Sequence, residues 1–119
     1  MTKKPRPADI YLRFLQLAEA VRGMPALEPL EPLEQRILEL VAFARQRQER
    51  LSVKDLMGKR ELGSPAMLHG RLKSMREKGW ISLAETEDAR RKQLELTTGA
   101  LQYFDKLSKC MMQAAKKAM

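Results

Sequence analysis

A mainly α-helical chain with one small two-stranded β wing is what this 119-residue sequence predicts, on three observations. A short capped stretch at 52–57 and a longer capped amphipathic stretch at 64–78 flank a glycine-containing turn, which is the pattern of a helix-turn-helix over 52–79. Over 80–96 the apolar spacing changes from helical to alternating around a charged tip, as two short strands require. Apolar helical stripes at 9–22 and 98–117 frame this central part. Together these predict a winged helix-turn-helix whose N- and C-terminal helices serve dimerisation: one domain over 8–119 behind a flexible basic arm at 1–7.

The elements follow in order. Asp9 is placed to cap a first helix reaching Arg22, where Ile10, Phe14, Leu17 and Val21 form a stripe widened by Leu15 and Ala18. That stripe is more apolar than one solvated helix needs, so it must pack on the core or on a second copy of the chain. Gly23 ends the helix, and three prolines within 24–32 make a stiff connector. Pro32 opens a second helix running to about Gln48, with Leu33, Ile37, Leu40, Val41 and Ala44 inward. Ser52 and Asp55 match a capping box that starts a short helix. Ser64 caps the next helix, Pro65 takes its first position, Leu68, Leu72 and Met75 mark its buried face, and Gly79 supplies a left-handed end. Trp80 opens the first wing strand as a core residue, and Gln93 to Leu96 alternates as the second. Thr97 or Thr98 caps the last helix, with Leu101, Phe104, Leu107, Met111 and Met112 as its apolar face.

Bulk composition bounds the function. A 44% hydrophobic content excludes wholesale disorder, and 5% aromatics leave leucine, alanine and methionine to fill the interior. The net charge of +8 points to an anionic partner, nucleic acid first, with a plain solubility surplus as the alternative. One cysteine and one histidine make neither a disulfide nor a structural zinc site. Cys110 is expected as buried packing on the final helix. No apolar run long enough to span a membrane and no leader segment is evident, so a cytoplasmic protein without cofactor is expected. Ser-His-Asp sets, phosphate loops and paired carboxylates in a pocket context are missing from the pattern, so no enzyme is expected.

The charge is unevenly placed. Seven basic and three acidic residues between Lys54 and Lys78 make the helix-turn-helix net +4. The outward side of the Ser64 helix, with Ala66, Met67, His69, Gly70, Arg71, Lys73 and Ser74, is small at its start and basic further on. A smooth cationic helix face suits the major groove, where base edges lie between phosphates; an ordinary solvated helix face is the plain alternative. Arg71 suits bidentate contact with guanine and Lys73 suits phosphate. Gly70 costs a helix about 1 kcal/mol relative to alanine, which close approach to DNA or to a neighbouring helix explains. Ser52 and Lys54 begin the supporting helix, whose start can meet a phosphate.

The run LGSPAMLHGRLKSMREKGWISLAETEDARRKQLELT resembles the winged helix-turn-helix of the MarR (multiple antibiotic resistance regulator) family. The resemblance rests on Leu68 and Leu72, on Lys78-Gly79-Trp80-Ile81, on Asp88-Ala89-Arg90 and on Leu96-Thr97, in that order and spacing. It implies a homodimeric regulator that binds double-stranded DNA sequence-specifically. The helix at 64–78 would enter the major groove, Arg90 would reach the minor groove, and Asp88 would orient it. Arg91 and Lys92 extend the cationic side of the wing tip. Dimerisation would rest on Ile10, Phe14, Leu17, Val21, Leu101, Phe104, Leu107 and Met111. The chain departs from the pattern in its length, in the early Gly99 and in the proline-rich connector, so the family's ligand pocket is not carried over and a small-molecule effector is left open. Two other classes fit the same residues: a winged-helix protein–protein adaptor and a non-specific nucleoid or plasmid DNA-binding protein.

Overall fold

The computed structural model describes residues 6–22, 27–85 and 92–117. Its elements are α1 (Pro7–Arg22), α2 (Pro32–Gln46), β1 (Leu51–Ser52), α3 (Val53–Met57), α4 (Pro65–Glu77), β2 (Ile81–Glu85), β3 (Lys92–Leu96) and α5 (Thr98–Lys117). They group into two compact units, one of Leu27–Ala100 and one combining the chain up to Ala26 with Leu101–Met119.

In the first unit, α2 and α4 bring Ile37, Leu38, Val41 and Ala44 together with Leu68, Leu72 and Met75 as a dry core, closed by Leu56, Trp80, Ile81 and Leu94. The sheet has three strands in the order β1-β3-β2, all antiparallel. β2 and β3 are the expected two-stranded wing, and β1 adds a third strand to it: Leu51 pairs with Leu94 and Ser52 with Gln93 before the chain turns into α3. Two residues carry too little alternation to be read as a strand from sequence. Ile81 faces Leu96 and Leu83 faces Leu94, so the apolar sides of β2 and β3 coincide.

The ends of the elements follow their capping chemistry. Ser64 Oγ accepts from Met67 N at 3.3 Å, with Pro65 at the first helical position of α4. Ser52 and Asp55 form the full capping box of α3. Thr97 is the residue that caps α5, accepting from Ala100 N at 3.1 Å while its hydroxyl donates to Gly79 O at 2.6 Å. Gly79, at φ +87°, ends α4 in the left-handed region as expected. Asp9 does not precede α1. The helix starts at Pro7, and Asp9 sits inside the first turn, where its carboxylate accepts from Arg6 N at 2.9 Å. A carboxylate three residues into a helix satisfies the same orphan donors from within. α2 stops at Gln46 rather than Gln48, because Gln48 turns left-handed at φ +59°.

The connector also packs. Trp80 Nε1 donates to Glu28 O at 2.7 Å, and the Leu27 side chain covers Gly79 and Gly99. Gly23 and the first part of the connector lie outside the described residues.

In the second unit α1 and α5 pack together. Ala18 on α1, and Cys110 and Ala114 on α5, are buried. Ile10, Phe14, Leu17, Val21, Leu101, Phe104 and Leu107 are half-buried within the chain. The α5 face thus runs through Phe104, Leu107, Cys110 and Ala114, and Met111 and Met112, expected on it, are both exposed. No helix among the described residues is long and apolar enough to cross a membrane.

Candidate nucleic-acid interface

Four elements of the first unit, β1, α3, α4 and β3, surround a groove of about 1120 Å³, lined by residues 50–55, by Lys59, by His69 and by Lys92 and Gln93. It gathers Arg50, Lys54, Lys59 and Lys92 against the single carboxylate of Asp55. Of the residues singled out from sequence, Ser52, Lys54, His69 and Lys92 meet here. Arg50 and Lys59 were not foreseen. Arg50 enters because β1 joins the sheet: its guanidinium donates to Gln93 Oε1 at 3.1 Å and lies 3.4 Å from Glu95 Oε1, which fixes it beside β3. The unread strand hid this residue.

The groove's α3 side is less open to anions than its sequence suggests. Ser52 Oγ accepts from Asp55 N at 2.9 Å, and Asp55 Oδ2 accepts from Ser52 N at 3.2 Å. The first-turn donors that a phosphate would use are partly occupied by the chain itself. Lys54, exposed beside them, supplies charge instead.

α4 presents two different sides. Ala66, His69, Gly70, Lys73 and Arg76 are exposed and share the outer stripe. Arg76 was missed, although it lies one turn beyond Lys73; with it, Lys73 lines a second groove of about 460 Å³ against Ile81 and Leu83 of β2. Met67 lies over Gly63, whose φ of +148° and occupied Cβ space both favour glycine there. Arg71 and Ser74 do not belong to the outer stripe. Arg71 Nη1 donates to Glu31 Oε2 at 2.6 Å, which draws it toward the start of α2.

One turn further along that side, Lys78 Nζ donates to Glu34 Oε1 at 2.7 Å, and the same oxygen accepts from Glu31 N at 2.9 Å. Glu34 is fully buried. Burial by itself raises a carboxyl's pKa, but the bonds from Lys78, from the Glu31 backbone and from Ser74, with the charge of Lys78, outweigh it and hold Glu34 below its ordinary value. Glu31 and Glu34 therefore clamp Arg71, Ser74 and Lys78, and this fixes which side of α4 faces outward. Asp88, Arg90 and Arg91 lie outside the described residues. No group of three or more His, Cys, Asp or Glu side chains suited to a metal occurs among the described residues.

The architecture, a helix-turn-helix with a β wing and packed terminal helices, is that of a winged-helix protein. More narrowly, it is the fold of MarR-type regulators, matched over about 90% of the chain at low identity. MepR of S. aureus, in a structure bound to ethidium bromide, superposes with a TM-score of 0.64 at 16% identity, over 91% of this chain and 74% of that one. The transcriptional regulator Tm0710 of Thermotoga maritima gives 0.60 at 13% identity, over 91% and 68%. The adhesin competence repressor AdcR of Streptococcus pyogenes gives 0.54 at 22% identity, over 89% and 72%. No family model and no curated protein sequence matches the chain.

Proposed function

We propose that this chain is a sequence-specific transcriptional regulator that binds double-stranded DNA as a homodimer, with α4 in the major groove and the wing at the minor groove. The observation that carries the reading is the cationic groove. Arg50, Lys54 and Lys59, from one ten-residue stretch, and Lys92 of β3 line one groove with His69 of α4. Converging cations beside a smooth helix suit two phosphate rows flanking a readable groove floor. Ala66 and His69 face the base edges and Lys73 a flanking phosphate, while Ser64 and Ser52 set the helix starts. Arg90 and Asp88 at the wing tip remain the minor-groove pair of this reading, since a guanidinium fits the focused negative potential there.

Dimerisation rests on α1 and α5. Tyr11, Leu12, Met111 and Met112 are 60, 55, 56 and 70% exposed, apolar side chains on these two helices that a second copy would cover. Ile10, Phe14, Leu17, Val21, Leu101, Phe104 and Leu107 form the half-buried floor beneath it.

The test is selection from a randomised duplex pool at two salt concentrations, with sequencing of the bound fraction. A recovered palindrome with steeply salt-dependent affinity is the expected result. Salt-sensitive binding with no motif would replace the reading with a non-specific DNA-binding protein. No binding at either salt would replace it with a protein–protein adaptor.

A further inference from the structure

Gly70 stands at the middle of α4's outer stripe, and nothing in the fold asks for it. Its φ is not positive, unlike those of Gly63 and Gly79. A Cβ built there meets no atom within 4 Å among the described residues. A neighbouring helix, the alternative explanation at the sequence level, is therefore not what holds the position open. Glycine weakens a helix interior relative to alanine, and more so on an exposed face where no packing compensates. The chain thus carries a destabilising residue with no internal return. Its surroundings give the chemistry of what does require it: His69 lines the cationic groove, and Lys73 follows on the same face.

We infer that Gly70 is a specificity-determining position, where the α4 backbone comes so near the duplex that any side chain would hold the helix off the base edges. This rests on the proposed function above and deepens it. Base-edge contacts need the helix seated at hydrogen-bond range on the groove floor, whereas phosphate contacts tolerate a small withdrawal because long cationic side chains can follow. A methyl group at Gly70 therefore lowers affinity for the selected site far more than affinity for arbitrary sequence.

The experiment compares wild type, Gly70→Ala and Gly70→Leu by thermal melting and by titration with the selected duplex and with a scrambled duplex of equal length. Gly70→Ala is expected to melt about 3–5 °C higher, as a glycine-to-alanine change in an open helix should. It is expected to bind the selected duplex at least about tenfold more weakly and the scrambled one less than about threefold more weakly, with Gly70→Leu weaker again on the selected duplex. A higher melting temperature with unchanged preference overturns the inference and leaves the proposed function standing. A change in self-association with unchanged DNA affinity overturns it in favour of a contact between copies. Failure of wild type to bind any duplex removes the proposed function and this inference together.

Discussion

Leu27–Ala100 buries its large aliphatic side chains between α2, α4 and the sheet and turns charge outward, whereas the unit of α1 with residues 101–117 leaves Tyr11, Leu12, Met111 and Met112 in water. The first unit also spends a fully buried carboxylate, Glu34, on orienting one helix. The second has no such tie among its described ion pairs. The two units are finished differently. One packs its large aliphatic side chains into a core of its own; the other leaves more of its large apolar side chains exposed, the surface that the proposed dimer would cover.

The largest expected effect tests the completeness of the first unit. Glu34→Gln leaves Lys78, whose side chain is 17% exposed, without its counter-charge. Loss of one partner of such a pair should lower the unfolding free energy by about 3 kcal/mol, measured by urea titration. The sign with pH follows from the lowered pKa. The unfolded glutamate titrates near its ordinary 4.5 and the folded one lower, so this stabilisation is complete above 4.5 and is lost as pH falls through the folded value. The gap between wild type and Glu34→Gln should therefore narrow in acid; a gap of constant size down to low pH would mean that the carboxylate charge is not its source.

The second unit is tested by charge at its open surface. Leu12→Glu and Met112→Glu should each weaken self-association about tenfold or more by sedimentation. Phe43→Glu, at an apolar residue of the first unit that is 49% exposed, should leave association unchanged. An equal effect from Phe43→Glu would erase the proposed contrast between the units.

A smaller effect separates the two sides of α4. Lys73→Ala should reduce the slope of log affinity against log salt by about 0.9, the share of one phosphate. Arg71→Ala should change that slope less, because Glu31 already engages the guanidinium, and should cost stability only about 0.5 kcal/mol, as an exposed pair does. A larger DNA effect from Arg71 would show that it leaves Glu31 on binding.

The helices of both units were legible because their signals are local. Ser52, Ser64 and Gly79 act on their own turns, and Leu68, Leu72 and Met75 repeat with one period. What sequence did not show is set across long separations. β1 is two residues whose strand character comes from β3, and with it came Arg50. Arg71 looks like an outward cation until Glu31, forty residues earlier, claims it. Glu34, not singled out in the sequence, is held by Lys78 from 44 residues away. Met112 was placed on the apolar face by its neighbour's hydrophobicity, although one residue rotates a helix by about 100°. Apart from Met112, each of these concerns a side chain whose environment is supplied by another element.

The smallest effect concerns the end of α2, where local reading erred by two residues. Glu49 N donates to Ala44 O at 2.8 Å, closing the last turn around Gln48 at φ +59°. That closure is the one glycine usually provides, and a Cβ at such φ is strained by about 1 kcal/mol. Gln48→Gly removes the strain but loosens the unfolded chain, so the net gain should be about 0.5 kcal/mol. Gln48→Ala keeps the Cβ and should gain nothing. If alanine and glycine stabilise equally, the benefit comes from losing the glutamine side chain, and the left-handed turn is not where α2 stores its strain.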